Sequence, residues 1–293
     1  MGKRSTLILM MLPCLMFLLI FSYAPLMGWA IAFFDYIPGL GIARSEFIGF
    51  KNFIGIIKEP EIVNVLRNTF ALSFLGILVT PVPALFAILL GEIGSSKFRK
   101  FVQTTTTLPY FISWILVYSL ASVFFGADKG IITGILRFFT DKPTNILADV
   151  NLVWPTQTGI ALWKSLGFSS IVYLASILSI DPGLYDAAYV DGANRFRAAI
   201  HVTIPGILPT YVVLLVLGIG NMLSNGFEQY YVFYNPVVHN RIQVLDYYLW
   251  RVGFTTNDFS FSTALGVTKT IVSIILLFTA NTIVKHVRGS SVI

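Results

Sequence analysis

The sequence predicts an all-α integral membrane protein, six transmembrane helices in one domain over residues 1–293. Three observations carry that expectation. Of the residues, 56% are hydrophobic and only 12% are charged, against about 25% charged in ordinary soluble domains. The mean hydropathy is +0.78. The apolar residues also gather into separate runs, each near the roughly 20 residues that a helix needs to cross a bilayer. Hydrocarbon offers no partner to backbone amides, so such runs are helices rather than open strands.

Taken in order, the runs lie at about 7–34, 68–91, 108–126, 157–180, 207–224 and 261–284. The first follows Lys3 and Arg4 and superficially suggests a secretory signal. Its apolar stretch far exceeds the about 7–15 residues of such signals, and no small-residue cleavage pattern follows, so it is read as a retained helix. The second contains Pro81 and Pro83, and the fifth contains Gly218 and Gly220. Neighbouring helices can re-satisfy the backbone at such points, which permits kinks and close approach. The fourth and sixth runs hold Lys164 and Lys269 about 12 Å below their outer ends at about 1.5 Å per residue. An ionised lysine facing lipid there costs several kcal/mol. Each is therefore expected to face the protein interior, a water-filled cavity or an acidic partner.

Six crossings place both termini on one side. Lysines and arginines divide evenly between the two sets of connecting segments. Lys3, Arg4, Lys97, Arg99, Lys100, Arg195, Arg197, Lys285 and Arg288 lie in the shorter set and flank helix ends closely. Arg44, Lys51, Lys58, Arg67, Lys129, Arg137, Lys142, Arg241 and Arg251 lie in the longer set. The positive-inside rule acts on short segments near helix ends, so it puts the first set and both termini in the cytoplasm. A net charge of +6, distributed in this way, suits an anionic lipid surface rather than nucleic acid.

Enzymatic chemistry finds no footing. The only cysteine, Cys14, lies in an apolar run, so no intrachain disulfide and no cysteine metal site is expected. His201, His239 and His286 do not pair at ligand spacing. There is no GxxxxGK[ST] phosphate loop and no hydrolase motif. Catalytic residues, metal and cofactor are all expected to be absent, and any nucleotide must bind a different chain.

Residues 181–209 are too polar to span and too regular to be slack. Asp181 and Pro182 read as an N-cap followed by proline at the first helical position, opening a short helix through Tyr185, Ala187 and Ala188. Gly192 then permits a turn that a Cβ would resist. A second helix carries Arg195 and Arg197 outward until Pro205 ends or redirects it. The result is a protruding elbow, with alanines small enough to enter a groove on a partner.

That stretch, DAAYVDGANRFRAAIHVTIPGILP, resembles the EAA motif of binding-protein-dependent ABC importer permeases. Ala187, Ala188, Asp191, Gly192, Ala193, Ile204, Pro205 and Pro209 stand at matching places. Asp186 replaces the usual glutamate and keeps its charge, while Ala199 stands where many members have phenylalanine. The resemblance implies a type I importer permease fold and a cytoplasmic coupling loop over 181–206. Asp186, Ala187, Ala188, Asp191, Gly192, Ala193, Arg195, Pro205 and Pro209 would couple it to the ATPase. It also implies partners: a related permease forming a heterodimer, two ATPase subunits that bind ATP and magnesium, and an extracytoplasmic solute-binding protein. The location implied is the cytoplasmic membrane of a prokaryote.

FIGFKNF at 47–53, LRNTF at 66–70, LPYFIS at 108–113 and the run from Asn225 through Asn235 are similar to the carbohydrate-uptake branch that includes the maltose-type permeases. FEQYYVFYNP at 227–236, followed by FSFSTALGVTK at 259–269, is nearest its LplB-type polysaccharide subfamily. An oligosaccharide cargo follows as an expectation. Sugars are held by aromatic faces with amides and carboxylates on their hydroxyls, and Asn221, Asn225, Phe227, Glu228 and Gln229 supply such groups just past the fifth run. In the family, the matching asparagines line the sugar site, which implies that role for Asn221 and Asn225. The neighbouring Tyr230, Tyr231 and Tyr234 suit an interfacial aromatic belt equally well. Lys164 is a candidate for holding an acidic oligosaccharide, with a purely structural lysine as the competing reading. A non-sugar solute, or an ion-coupled transporter, is the alternative function. The latter calls for inverted repeats and intramembrane carboxylates, and the predicted crossings contain neither.

Overall fold

The computed structural model describes residues 3–126, 130–136 and 145–288. Lys129, Arg137 and Lys142, assigned above to outer segments, lie outside that set. Among the described residues, five segments are long and apolar enough to cross a membrane: Leu7–Phe33, Pro60–Gly91, Val153–Leu178, Arg195–Gly220 and Phe259–His286. A sixth arises if Ser96–Phe111 and Trp114–Phe125 count as one broken span. In chain order these are the first to sixth spans, the broken pair being the third.

The third span, expected at about 108–126, begins earlier, at Ser96, and its two arms meet at a bend of 108°. Pro109 enters a tight 3-10 turn, Leu108–Phe111, and Ile112 and Ser113 are then extended, with ψ of 146° and 155°. The Ser113 hydroxyl accepts the amide of Leu116 at 3.4 Å and starts the second arm, as an N-cap does. Average hydropathy sees the run but not its change of direction.

Two other spans begin earlier than expected. The second starts at Pro60 rather than near 68, with proline at its first turn, where its missing amide leaves nothing unpaired. It is interrupted after Leu78 and restarts at Pro81. The fifth starts at Arg195 rather than near 207. Pro205 does not end the preceding helix. A π-helical segment, Ala199–Thr203, carries the chain into the helix Ile204–Gly220. Such wide turns let a helix absorb a residue that cannot donate.

The expected single domain divides into two compact units. One comprises Met1–Ile62 and Tyr248–Val272. Its apolar side chains from Leu7 to Phe21 are exposed, as suits a helix bathed in hydrocarbon. A short antiparallel pair, Phe34–Asp35 with Glu46–Phe47, follows the first span. It is stapled by Asn52, whose amide donates to the Ala32 carbonyl at 3.0 Å. Glu61 and Arg251 pair at 2.5 Å, with the guanidinium 5.2 Å from the Tyr248 ring. Lys269 is half-buried in the sixth span.

The other unit comprises Val63–Tyr247 and Ser273–Ile293. Its core joins Ala84 and Ala87 of the second span to Tyr173 of the fourth and Ile207 of the fifth. Glycines set the closest approaches. A Cβ on Gly167 would come within 2.3 Å of the Thr106 carbonyl, and one on Gly220 within 2.8 Å of Leu277. Close packing at small residues is the main way helices associate where lipid removes the hydrophobic drive.

Candidate functional site

Two features of this unit carry functional geometry: the elbow between the fourth and fifth spans, and a polar cavity beside the same spans.

The elbow is built by local stereochemistry. The Asp181 carboxylate accepts the Gly183 amide at 2.9 Å, Pro182 opens the helix, and the helix runs Pro182–Val190. It ends on Gly192 at φ +80°. The Gly192 amide donates to the Tyr189 carbonyl at 3.0 Å and the Ala193 amide to the Ala188 carbonyl at 2.9 Å. This paired closure is a Schellman motif, which needs a left-handed residue at the position that Gly192 occupies. Asn194 caps the second arm, accepting the Arg197 amide at 2.9 Å. A hydrogen bond of 3.0 Å between the Tyr185 and Thr203 hydroxyls ties the arms together.

Asp186, Ala187, Asp191, Gly192, Arg195 and Pro205 are exposed on this elbow, Ala188 and Ala193 half-buried. Pro209 stands farther along, within the helix Ile204–Gly220. Apolar residues, which carry no motif signal in the sequence, share the tip. Val190 is 88% exposed and Phe196 74%, with Leu184 and Tyr189 also exposed. An apolar patch rimmed by Asp186, Asp191, Arg195 and Arg197 has the make-up of a protein contact surface.

The cavity has a volume of about 370 Å³. It takes Ser73, Gly76, Thr80 and Pro83 from the second span, Gln157, Ala161, Ser165 and Ser169 from the fourth, and Gly218, Asn221, Asn225, Gln229 and Tyr230 from the fifth span and the turn beyond it. No charged side chain lines it among the described residues. In the fourth span, spacings of four residues put Gln157, Ala161, Ser165 and Ser169 on one helix face, a signal present in the sequence.

Hydrogen bonds fix much of this lining. The Asn225 amide donates to the Ser73 hydroxyl at 2.9 Å, and Ser73 donates in turn to the Met222 carbonyl. The Gln229 amide, buried, donates to the side chain of Gln157 at 2.8 Å and to its backbone carbonyl at 3.0 Å. The oxygen of Asn225 and the hydroxyl of Thr158 are buried without a partner. Gly226, at φ +86°, turns the chain there, its amide donating to Asp246 at 2.9 Å. Burial, with the Asp246 charge adding, pushes the Tyr230 phenol far above its ordinary range and keeps it a hydrogen-bond donor.

The structure thus brings Asn221, Asn225 and Gln229 to one cavity and leaves the other named candidates outside its lining. Phe227 stacks on Tyr231 at 5.0 Å and on Tyr247 at 6.3 Å. Glu228 is exposed at the start of the short helix Glu228–Val232. Lys164, only 9% exposed, turns its ammonium to the carbonyls of Tyr110 at 2.6 Å and Pro109 at 3.3 Å. The Glu228 charge also acts on it.

Helical spans, a neutral hydrogen-bonding cavity and a capped elbow with an apolar tip together describe the membrane subunit of a transporter. The family comparison is specific: residues 75–289 match the model of the binding-protein-dependent transport system inner membrane component, and the chain belongs to that family. It is 41% identical over 284 residues to the polygalacturonan/rhamnogalacturonan transport system permease protein YteP of Bacillus subtilis (strain 168), across 97% of this chain and 88% of that one. Protein LplB of the same strain is 39% identical, across 97% and 89%. A crystal structure of a bacterial alginate ABC transporter, in complex with an alginate pentasaccharide-bound periplasmic protein, contains a chain similar to this one at a TM-score of 0.88. Its identity is 32%, across 99% of this chain and 97% of that one. The fold is therefore that of a type I importer permease, and the chain is a transporter component rather than an enzyme.

Proposed function

We propose that this chain is one of two related permeases of an ATP-driven importer that takes up oligosaccharides containing uronic acids, delivered by an extracytoplasmic solute-binding protein. Both termini and the elbow face the cytoplasm, where the elbow seats on one of two ATPase subunits. The observation that carries this reading is the Schellman-closed elbow with Val190 and Phe196 bare at its tip. Such a surface is costly in water unless a partner covers it. The cargo class is supported by the alginate and polygalacturonan for which the similar proteins are named, both polymers of uronic acids. Within the cavity, Asn221, Asn225 and Gln229 offer amide groups to sugar hydroxyls, and buried Tyr230 offers a donor.

The mechanism is alternating access. Closure of the ATPase pair on ATP drives the elbows together, the spans rock, and cargo passes from the binding protein into the cavity. Hydrolysis resets the cycle. Because the fifth span continues directly from the elbow's second arm through Ala199–Thr203, displacement of Arg195 is passed along one helix to Asn221 at the cavity.

The test uses the complete importer in proteoliposomes. Asp191→Arg, which reverses a charge on the elbow rim, is expected to abolish ATP-dependent uptake while the subunit stays in the membrane with its sister permease. Uptake at the parent rate, or uptake that persists with the ATPase subunits omitted, refutes the coupling role. A Tyr189→Cys label that reacts only from the external side overturns the orientation.

A further inference from the structure

We infer that Lys164 is a positioning residue whose ammonium latches the break in the third span and so fixes the wall of the cavity. The inference rests on the reading of that cavity as the cargo path. The break ends the Ser96–Phe111 arm, where the Pro109 carbonyl accepts the Ile112 amide at 3.4 Å, and a helix C-terminus carries partial negative charge. Lys164 donates to two carbonyls of that terminus, the Tyr110 carbonyl at 2.6 Å and, alongside the Ile112 amide, the Pro109 carbonyl at 3.3 Å. Its ammonium also lies 5.4 Å from the centroids of both Tyr110 and Trp114, one ring on either side of the break. Cation–π attraction acts at that range.

The grip extends along one face of the fourth span. Gly167 admits the Thr106 backbone at a distance that excludes any Cβ, and Phe168 stacks flat on Tyr110 at 3.9 Å. Lys164, Gly167 and Phe168 stand at i, i+3 and i+4, hence on one side of the helix. Ser165, the next residue, is on the cavity wall with Ala161 and Ser169. The latch and the wall are adjacent stripes of one helix, so a change in the break reaches the wall within a single turn. This also accounts for a cation buried at membrane depth, since carbonyls and ring faces take the place of its water.

The experiment places spin labels on the two arms, at Lys100→Cys and Ser119→Cys in a Cys14→Ser background, within the assembled importer. The parent is expected to give a narrow interarm distance distribution, and Lys164→Met a broad or displaced one. Maximal uptake in Lys164→Met is expected to fall about tenfold, the scale of losing a charge-assisted hydrogen bond, with the apparent KM unchanged. The fall should be equal for neutral and uronate-bearing oligosaccharides, and Lys164→Arg should restore both the distribution and most of the rate. An unchanged distribution in Lys164→Met overturns the latch. A rise in KM confined to the uronate-bearing cargo also overturns it, making the lysine a cargo ligand instead. If the methionine variant does not assemble, Lys164→Gln takes its place, and a parent-like distribution there is equally fatal. The distance readout is independent of cargo, so failure of the cavity reading appears separately, as parent-like uptake in Asn225→Ala.

Discussion

Replacing Gly192 isolates the elbow's geometry from its chemistry. The residue sits at φ +80°, and nothing lies within 4 Å of where a Cβ would project. A Cβ there meets no neighbour, so the penalty at that atom is conformational. For an L-residue in the left-handed region that penalty is about 1–2 kcal/mol. It corresponds to a factor of about 5–30 in the population of the native turn. Gly192→Val bears the full cost, because a β-branched residue is an outlier at positive φ, whereas Gly192→Asn bears little, because asparagine visits that region readily. Initial rates of ATP-dependent uptake in proteoliposomes, normalised to subunit content, are expected to fall by a factor in that range for valine. The asparagine variant should keep most of the parent rate. Equal rates for valine and glycine, or equal losses for valine and asparagine, refute the claim that a left-handed residue at 192 sets the coupling geometry.

Two further predictions concern packing and titration. Gly167→Ala forces a Cβ to within 2.3 Å of the Thr106 carbonyl, an overpacking expected to cost about 1–3 kcal/mol and to lower the melting temperature of the detergent-solubilised complex. Gly159→Ala on the same helix meets nothing within 4 Å and serves as the matched control; equal melting temperatures for the two variants refute the close approach. Burial, with the charges of Glu59 and Glu61 adding, pushes the Tyr248 phenol up to about 12 from 10.0. The folded protein therefore keeps a proton that the unfolded chain sheds, so the stabilisation is complete below pH 10.0 and is lost as pH rises to about 12. Melting curves of Tyr248→Phe across that window should decline less steeply than those of the parent, and parallel slopes count against the buried phenol.

What could be read from the sequence follows from where each feature draws its cause. Asp181, Pro182 and Gly192 shape the elbow through their own backbones and immediate neighbours, so their residue types alone announce a cap, a start and a left-handed turn. Asn221, Asn225 and Gln229 drew notice because they cluster along the chain. Ser73, Thr80, Gln157, Ser165 and Ser169 line the same cavity, yet each is a small polar residue alone in an apolar run, visible only through its three- and four-residue spacing. The third span shows a stronger limit. Pro109 marks a place where a helix can turn, but the ammonium that meets the carbonyls of Pro109 and Tyr110 belongs to Lys164, more than fifty positions away. A backbone carbonyl has no sequence signature, so the depth of Lys164 predicted that it needed a partner without revealing which. The lysine that looked like a ligand for an acidic sugar thus has two carbonyl partners already, and the described cavity wall offers sugars only neutral groups. On the proposed reading of the cargo, any carboxylate it carries must then find its counter-charge beyond that wall.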